Sequence, residues 1–162
     1  MPTFDVVSEI DQQEVKNAID QATREIVTRF DFKDTGSSID HVGEKITIAS
    51  ASEDRLKALL QVIEEKFVKR NLSLKTLEYG KVEEATRGTA RQVLTLKEGI
   101  ASDKAKEINR FLKEAGIKGI QSSTLGEVIR VTGKKRDELQ TAIAALKDHD
   151  FELPLQFKNF RD

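Results

Sequence analysis

The sequence predicts an α+β protein of two ferredoxin-like domains, each a βαββαβ unit with a four-stranded antiparallel sheet and two helices on one face. Three observations lead there. The order strand, helix, strand, strand, helix, strand is read twice in 162 residues, over about 1–88 and again over 89–162. Apolar residues recur at three- and four-residue steps in the helical stretches, while the strand stretches are short and rich in β-branched residues. A composition of 38% hydrophobic and 34% charged residues suits small globular domains with heavily charged surfaces.

In the first copy, Thr3 to Ser8 has the aromatic and β-branched content of a strand. Ser8, with Glu9 and Asp11 behind it, predicts a helix start whose acids complement the dipole. Val15, Ala18, Ile19, Ala22, Ile26 and Phe30 then form one buried stripe. Gly36-Ser37-Ser38 breaks the pattern, and Ile39–Val42 and Lys45–Ala49 read as a hairpin around Gly43-Glu44. Ser52, Glu53 and Asp54 start a second helix with the stripe Leu56, Leu59, Leu60, Ile63 and Phe67. Five such side chains, at roughly 1.5–3 kcal/mol each, suffice to hold it on a sheet. Leu72 to Val82 closes the copy as one strand or as a strand broken by a bend.

The second copy opens with the strand Ala90–Leu96, and Gly99 turns the chain. Ser102-Asp103 caps a helix with Ala105, Ile108, Phe111, Leu112 and Ala115 on one face, and Gly116 stands where a left-handed C-cap is expected. Ile120–Leu125 and Glu127–Thr132 make a hairpin across Gly126. The last helix carries Leu139, Ile143 and Leu146; Pro154 ends it, and Leu155–Phe160 is the closing strand. Strand addition at a sheet edge costs little, so the order of elements leaves the pairing of terminal strands open between the two sheets.

Several function classes drop out. No apolar run approaches membrane-span length, the N-terminus lacks the features of a signal peptide, and there are no cysteines, so a cytoplasmic protein without disulfide or thiol chemistry is expected. The two histidines, His41 and His149, lie in unrelated elements, too few for a zinc site, and no metal or cofactor is expected. Asp148-His149-Asp150 reads as a solvated turn, no nucleophile sits in an elbow motif, and the protein is expected not to be an enzyme.

Formal charge is −1, but 1–88 carries 13 Lys/Arg against 17 Asp/Glu and 89–162 carries 14 against 11. The second copy is therefore the expected host for a polyanion. Its sharpest feature is Thr132-Gly133-Lys134-Lys135-Arg136-Asp137 at a strand-to-helix turn. Cations at a helix N-terminus oppose the dipole by roughly 0.3–1 kcal/mol each, and a phosphate bound there would remove the conflict. The string lacks the glycine spacing and following Ser/Thr of a P-loop, so ATPase chemistry is not implied. If Ile129 and Val131 face the helices, alternation turns Arg130 and Thr132 outward, with Arg91, Thr95, Gln121, Ser123 and Lys158 beside them. The third strand of this copy has no aromatic residue, unlike the base-stacking sheet of an RNA-recognition motif. Phe30 and Phe32, in Arg29-Phe30-Asp31-Phe32-Lys33, and Phe157 and Phe160 read first as core, second as base-stacking rings between cations.

Thr3-Phe4-Asp5-Val6-Val7-Ser8-Glu9, Arg29-Phe30-Asp31-Phe32-Lys33, Leu96-Lys97-Glu98-Gly99-Ile100, Val131 to Asp137 and Gln156-Phe157-Lys158-Asn159-Phe160-Arg161 together resemble the bacterial YajQ family. The resemblance runs from the first strand to the last residue. It implies two ferredoxin-like domains with exchanged N-terminal strands and a nucleotide- or RNA-binding role without catalysis. Members are described as cyclic di-GMP receptors that influence transcription, or as binders of tRNA or mononucleotides. The residues themselves predict a nucleotide- or RNA-binding regulator. Gly133, Lys134, Lys135 and Arg136 would hold phosphate with Arg130 and Arg161, and Asn159 with Phe157 would meet a base. The alternatives are a cyclic di-GMP receptor acting on a transcription-related protein, and a protein-interaction module with no nucleotide ligand.

Overall fold

The first two helix starts in this chain are set by side chains that satisfy their first backbone N–H groups. In the computed structural model, which describes residues 1–162, Asp11 caps helix α1 (Gln12–Thr28) by accepting from the Glu14 N–H at 3.2 Å, and Ser52 caps α2 (Glu53–Lys69) through the Arg55 N–H. Ser8 and Glu9 therefore precede α1 rather than start it. Helices α3 (Ser102–Glu114) and α4 (Arg136–Asp148) have no side-chain cap. Gly116 adopts a left-handed φ of 68° just past α3, where the chain reverses.

The nine strands are β1 (Thr3–Val7), β2 (Ser38–Val42), β3 (Lys45–Ser50), β4 (Leu77–Tyr79), β5 (Glu83–Glu84), β6 (Ala90–Leu96), β7 (Gln121–Leu125), β8 (Val128–Thr132) and β9 (Gln156–Arg161). All pairings are antiparallel, giving two sheets with four helices. One sheet has the order β7-β8-β1-β9; the other has β2-β3-β6-β4, with β5 also on β6. The closing segment of the first copy is broken by a 3-10 turn at Leu74–Thr76 and by Gly80, whose N–H donates to Val93 O at 2.8 Å.

The chain packs as two units, Met1–Glu9 with Glu98–Asp162, and Ile10–Lys97. In the first, Phe4 and Val6 of β1 and Ile129 and Val131 of β8 form a core with Ile108, Leu112, Leu139, Ile143 and Phe151. In the second, Ile46, Ile48 and Leu94 meet Val15, Ile19, Leu59, Ile63 and Phe67. Period-two alternation in β1 and β6 serves both cores. Phe30 does not continue the α1 stripe: the helix ends at Thr28, the Arg29 guanidinium bonds Asp31 at 3.0 and 2.7 Å, and the resulting turn buries Phe32 while leaving Phe30 86% exposed.

Candidate functional site

The sheet β7-β8-β1-β9 places its polar residues by register. Thr3 lies opposite Thr132 and Arg161, and Asp5 opposite Arg130 and Lys158; Gln121 and Ser123 complete those two rows on β7. Phe4 and Val6 point to the helices, so these rows lie on the other face. That face is bare only at its flanks: Asp5 and Val7 of the central strand are buried, while β7 and β9 are largely exposed. Arg91 and Thr95 do not join it. They belong to β6, paired with β3 and β4 in the other sheet, where Arg91 lies opposite Ala49 and Glu83.

Asp5 organises the centre of the face. Arg130 donates to it through Nε at 3.0 Å and Nη2 at 3.5 Å, and the Asn159 amide donates at 2.9 Å. Asn159 reaches it because the β1–β9 register slips between Thr3 and Asp5, with Asn159 at a left-handed φ of 57°. Burial pushes the Asp5 carboxyl up, but the bonds from Arg130 and Asn159 and the charges of Arg130 and Arg161 outweigh it, so the acid is strengthened. Lys158 is engaged by Glu9 at 2.8 Å. Arg130 is thus a fixed, partly neutralised cation. Sequence reading found Arg130 but missed Asp5, whose signal is the lone charge of its strand, at an outward position.

The same slip sorts the C-terminal aromatics. Phe157 lies on the helix side, its ring edge-on to Phe4 at 6.0 Å, with Lys147 Nζ 5.9 Å from its centroid. It shares no site with Arg130 and Asn159. Phe160 stacks on Phe4 at 5.8 Å and is 57% exposed.

At the start of α4, the Gly133 N–H donates to Pro2 O at 3.0 Å and so is already used. A Cβ on Gly133 would lie 2.9 Å from Leu139 Cδ2 and 3.2 Å from Ile120 Cδ1, so glycine here allows close packing. Lys134 and Lys135 are exposed and make no ion pair, whereas Arg136 forms a two-pronged pair with Asp162. That bond and the guanidinium charge hold the Asp162 carboxyl below its ordinary range. Arg136 and Arg161 both line a cleft of about 310 Å³, with Pro2, Thr3, Phe160 and Asp162. The expected residues are therefore distributed over the Asp5-centred sheet face, this cleft beside it, and the two free lysines at the helix start.

Asp148-His149-Asp150 lies at the end of α4. The His149 ring sits 4.7 Å from Phe111 and 4.5 Å from Phe151, and Asp150 Oδ1 accepts the Glu152 N–H at 2.8 Å, closing a turn. No helix is long and apolar enough to cross a membrane.

The family model described as "Nucleotide-binding protein YajQ-like" matches residues 2–161. A nucleotide-binding protein of Parafrankia sp. is 49% identical over 99% of this chain and 98% of its own length. A nucleotide-binding protein of Acidithiobacillus ferrooxidans is 48% identical over all of both chains, as is one of Anaeromyxobacter dehalogenans. With a match that runs through both sheets and relatives near half identity over essentially their whole lengths, the chain belongs to the YajQ-like family.

Proposed function

We propose that this protein binds a nucleotide or a short single-stranded RNA, tRNA segments included, on the unit that holds β7, β8, β1 and β9, and that it acts by binding without catalysis. The observation that carries this reading is the cleft at the start of α4. It brings Arg136, Arg161 and the exposed Phe160 ring together, and it already holds one anion, the Asp162 carboxylate, on Arg136. Guanidinium groups take phosphate in the same two-pronged way. An incoming phosphate displaces Asp162 and is joined by Lys134 and Lys135. Phe160 offers a ring for a base, and Arg130 and Asn159 continue the polar track across the sheet. The names of the relatives, each a nucleotide-binding protein, support the ligand class.

The strand orders 4-1-3-2 within each sheet support the finer fold reading. Two ferredoxin-like repeats, 1–88 and 89–162, have exchanged their first strands, β1 for β6. A cytoplasmic setting with soluble nucleotides suits this reading.

The test is binding of a labelled short single-stranded RNA at low and near-physiological salt, with mononucleotides and cyclic di-GMP as competitors. A track of about three phosphates predicts a log–log salt slope near −2, and K134A/K135A reduces its magnitude by about 1.4, roughly 0.7 for each lysine. Preferential displacement by cyclic di-GMP with a shallow slope assigns the site to that second messenger and a transcription-related partner instead. Unchanged RNA binding in K134A/K135A removes the α4 turn from the site.

A further inference from the structure

A second surface lies on the same unit, away from the Arg136 cleft. Strand β7 is an edge of its sheet: it pairs only with β8, and its outer backbone meets no other strand. Edge strands usually carry a charge, a bulge or a proline, or are very short. Three of the four edges here do. Strand β9 has the bulge at Asn159 together with Lys158 and Arg161, β2 carries Asp40, and β4 spans three residues with Glu78. Strand β7, Gln121-Ser122-Ser123-Thr124-Leu125, has none of these devices.

Beside that edge runs a cleft of about 870 Å³ between β7 and α3, lined by Leu112 and Ile120 with Arg110, Lys113, Glu114 and Asn109. The β7 wall is fixed, because Asn109 donates to Thr124 Oγ1 at 2.9 Å and accepts from Ser122 Oγ at 2.7 Å. Arg110 and Lys113 are exposed and form no ion pair, and Lys106 precedes them on the same helical stripe. The neighbouring acid Glu107 is already engaged by Lys104.

We infer that this edge is a docking site for an extended acidic peptide of a partner protein, which adds as a strand to β7 and sets its carboxylates against Arg110 and Lys113. The bare ladder of β7 is matched only by another peptide backbone, since a nucleic acid cannot supply alternating N–H and C=O groups. Two cations, Arg110 and Lys113, against the single acid Glu114 make that wall select acidic side chains, and the half-buried Ile120 accepts an apolar one over the buried Leu112. A second copy of β7 carries no acid to meet that wall, which disfavours self-pairing. The inference is independent of the nucleotide reading and extends beyond it.

The test uses the full chain and a short fluorescein-labelled peptide in which glutamate alternates with valine, followed by anisotropy. The expected result is saturable binding that R110E/K113E weakens at least about tenfold. The same peptide N-methylated at alternate residues no longer binds, while the protein is untouched. RNA affinity in R110E/K113E stays as in the parent, which separates this surface from the Arg136 cleft. Failure of the acidic peptide to bind, binding indifferent to N-methylation, equal binding of a lysine–valine peptide, RNA binding lost in R110E/K113E, or dimerisation in the ultracentrifuge that Ser123→Lys abolishes would each overturn it.

Discussion

Replacing Asp5 with Asn tests the centre of the proposed nucleotide face. The native carboxylate accepts three bonds, two from Arg130 and one from Asn159, in a side chain only 5% exposed. An amide keeps one acceptor and sets its own N–H₂ against the donors of Arg130 or Asn159. Charge-assisted bonds of this kind contribute about 1.5–3 kcal/mol. Arg130 is 37% exposed and rehydrates when released, so the upper end is discounted and the loss is about 2 kcal/mol. For a chain of this size that lowers Tm by about 4–8 °C at neutral pH. The sign with pH follows from the strengthened acid. Its folded value lies below its ordinary value of 3.8, so the stabilisation is complete above that value and is lost as pH falls through the folded one. Thermal denaturation of the parent and Asp5→Asn at pH 7 and in strong acid measures both. A loss under about 0.5 kcal/mol at pH 7, or a loss equally large in strong acid, would refute the account.

Phe157→Ala loses about 2 kcal/mol of stability with RNA affinity unchanged, while Phe160→Ala weakens RNA binding and moves stability by less than about 1 kcal/mol; melting and anisotropy on both variants check the pair. Gly133→Ala costs about 1–2 kcal/mol by driving a Cβ against Leu139 and Ile120, and Ile120→Val recovers part of it in denaturant titrations. Asp162→Asn frees Arg136 and tightens binding of inorganic phosphate, read by competition against the labelled RNA. Because Asp162 is a strengthened acid, the parent shows the same gain only at pH low enough to protonate it.

Much of the fold was legible because it is written in periods. Leu56, Leu59, Ile63 and Phe67 announce α2, and Ile129 and Val131 announce the inward face of β8; both bury as the pattern requires. Helix boundaries were less legible where two capping candidates compete: Ser8 and Asp11 both fit, and the bond to the Glu14 N–H decides for Asp11. Phe30 was misread because the 3.6-residue period does not say where a helix stops. The stop is at Arg29, whose backbone turns extended (ψ 132°), and nothing in the apolar period marks that position. The lysines of the α4 turn were found by a local conflict with the helix dipole, a signal available in sequence. The partners of Arg130 and Arg136 were not, because Asp5 and Asp162 are separated from them by 125 and 26 residues.

Strand order decides the electrostatics more than composition does. Taken as consecutive stretches, 89–162 carries an excess of three positive charges. Grouped by packing, Asp5 and Glu9 enter that unit with β1, and Arg91 and Lys97 leave it with β6. The balance becomes 12 Lys/Arg against 13 Asp/Glu. A general basic field is thus absent from the unit that holds the Arg136 cleft, and the anion binding proposed there rests on placement. Lys134 and Lys135 stand unpaired at an uncapped helix start, and Arg161 and Arg136 converge on one cleft. The acid that β1 brings has a positional effect as well: Asp5 removes a free charge from the sheet but fixes the Arg130 guanidinium in the row of Ser123 and Lys158, and holds the Asn159 amide at the bulge beside it. The pairing of β1 with β8 and β9, and of β6 with β3 and β4, therefore determines which cations remain free and which are held as positioned donors. Neither stretch read alone contains that information.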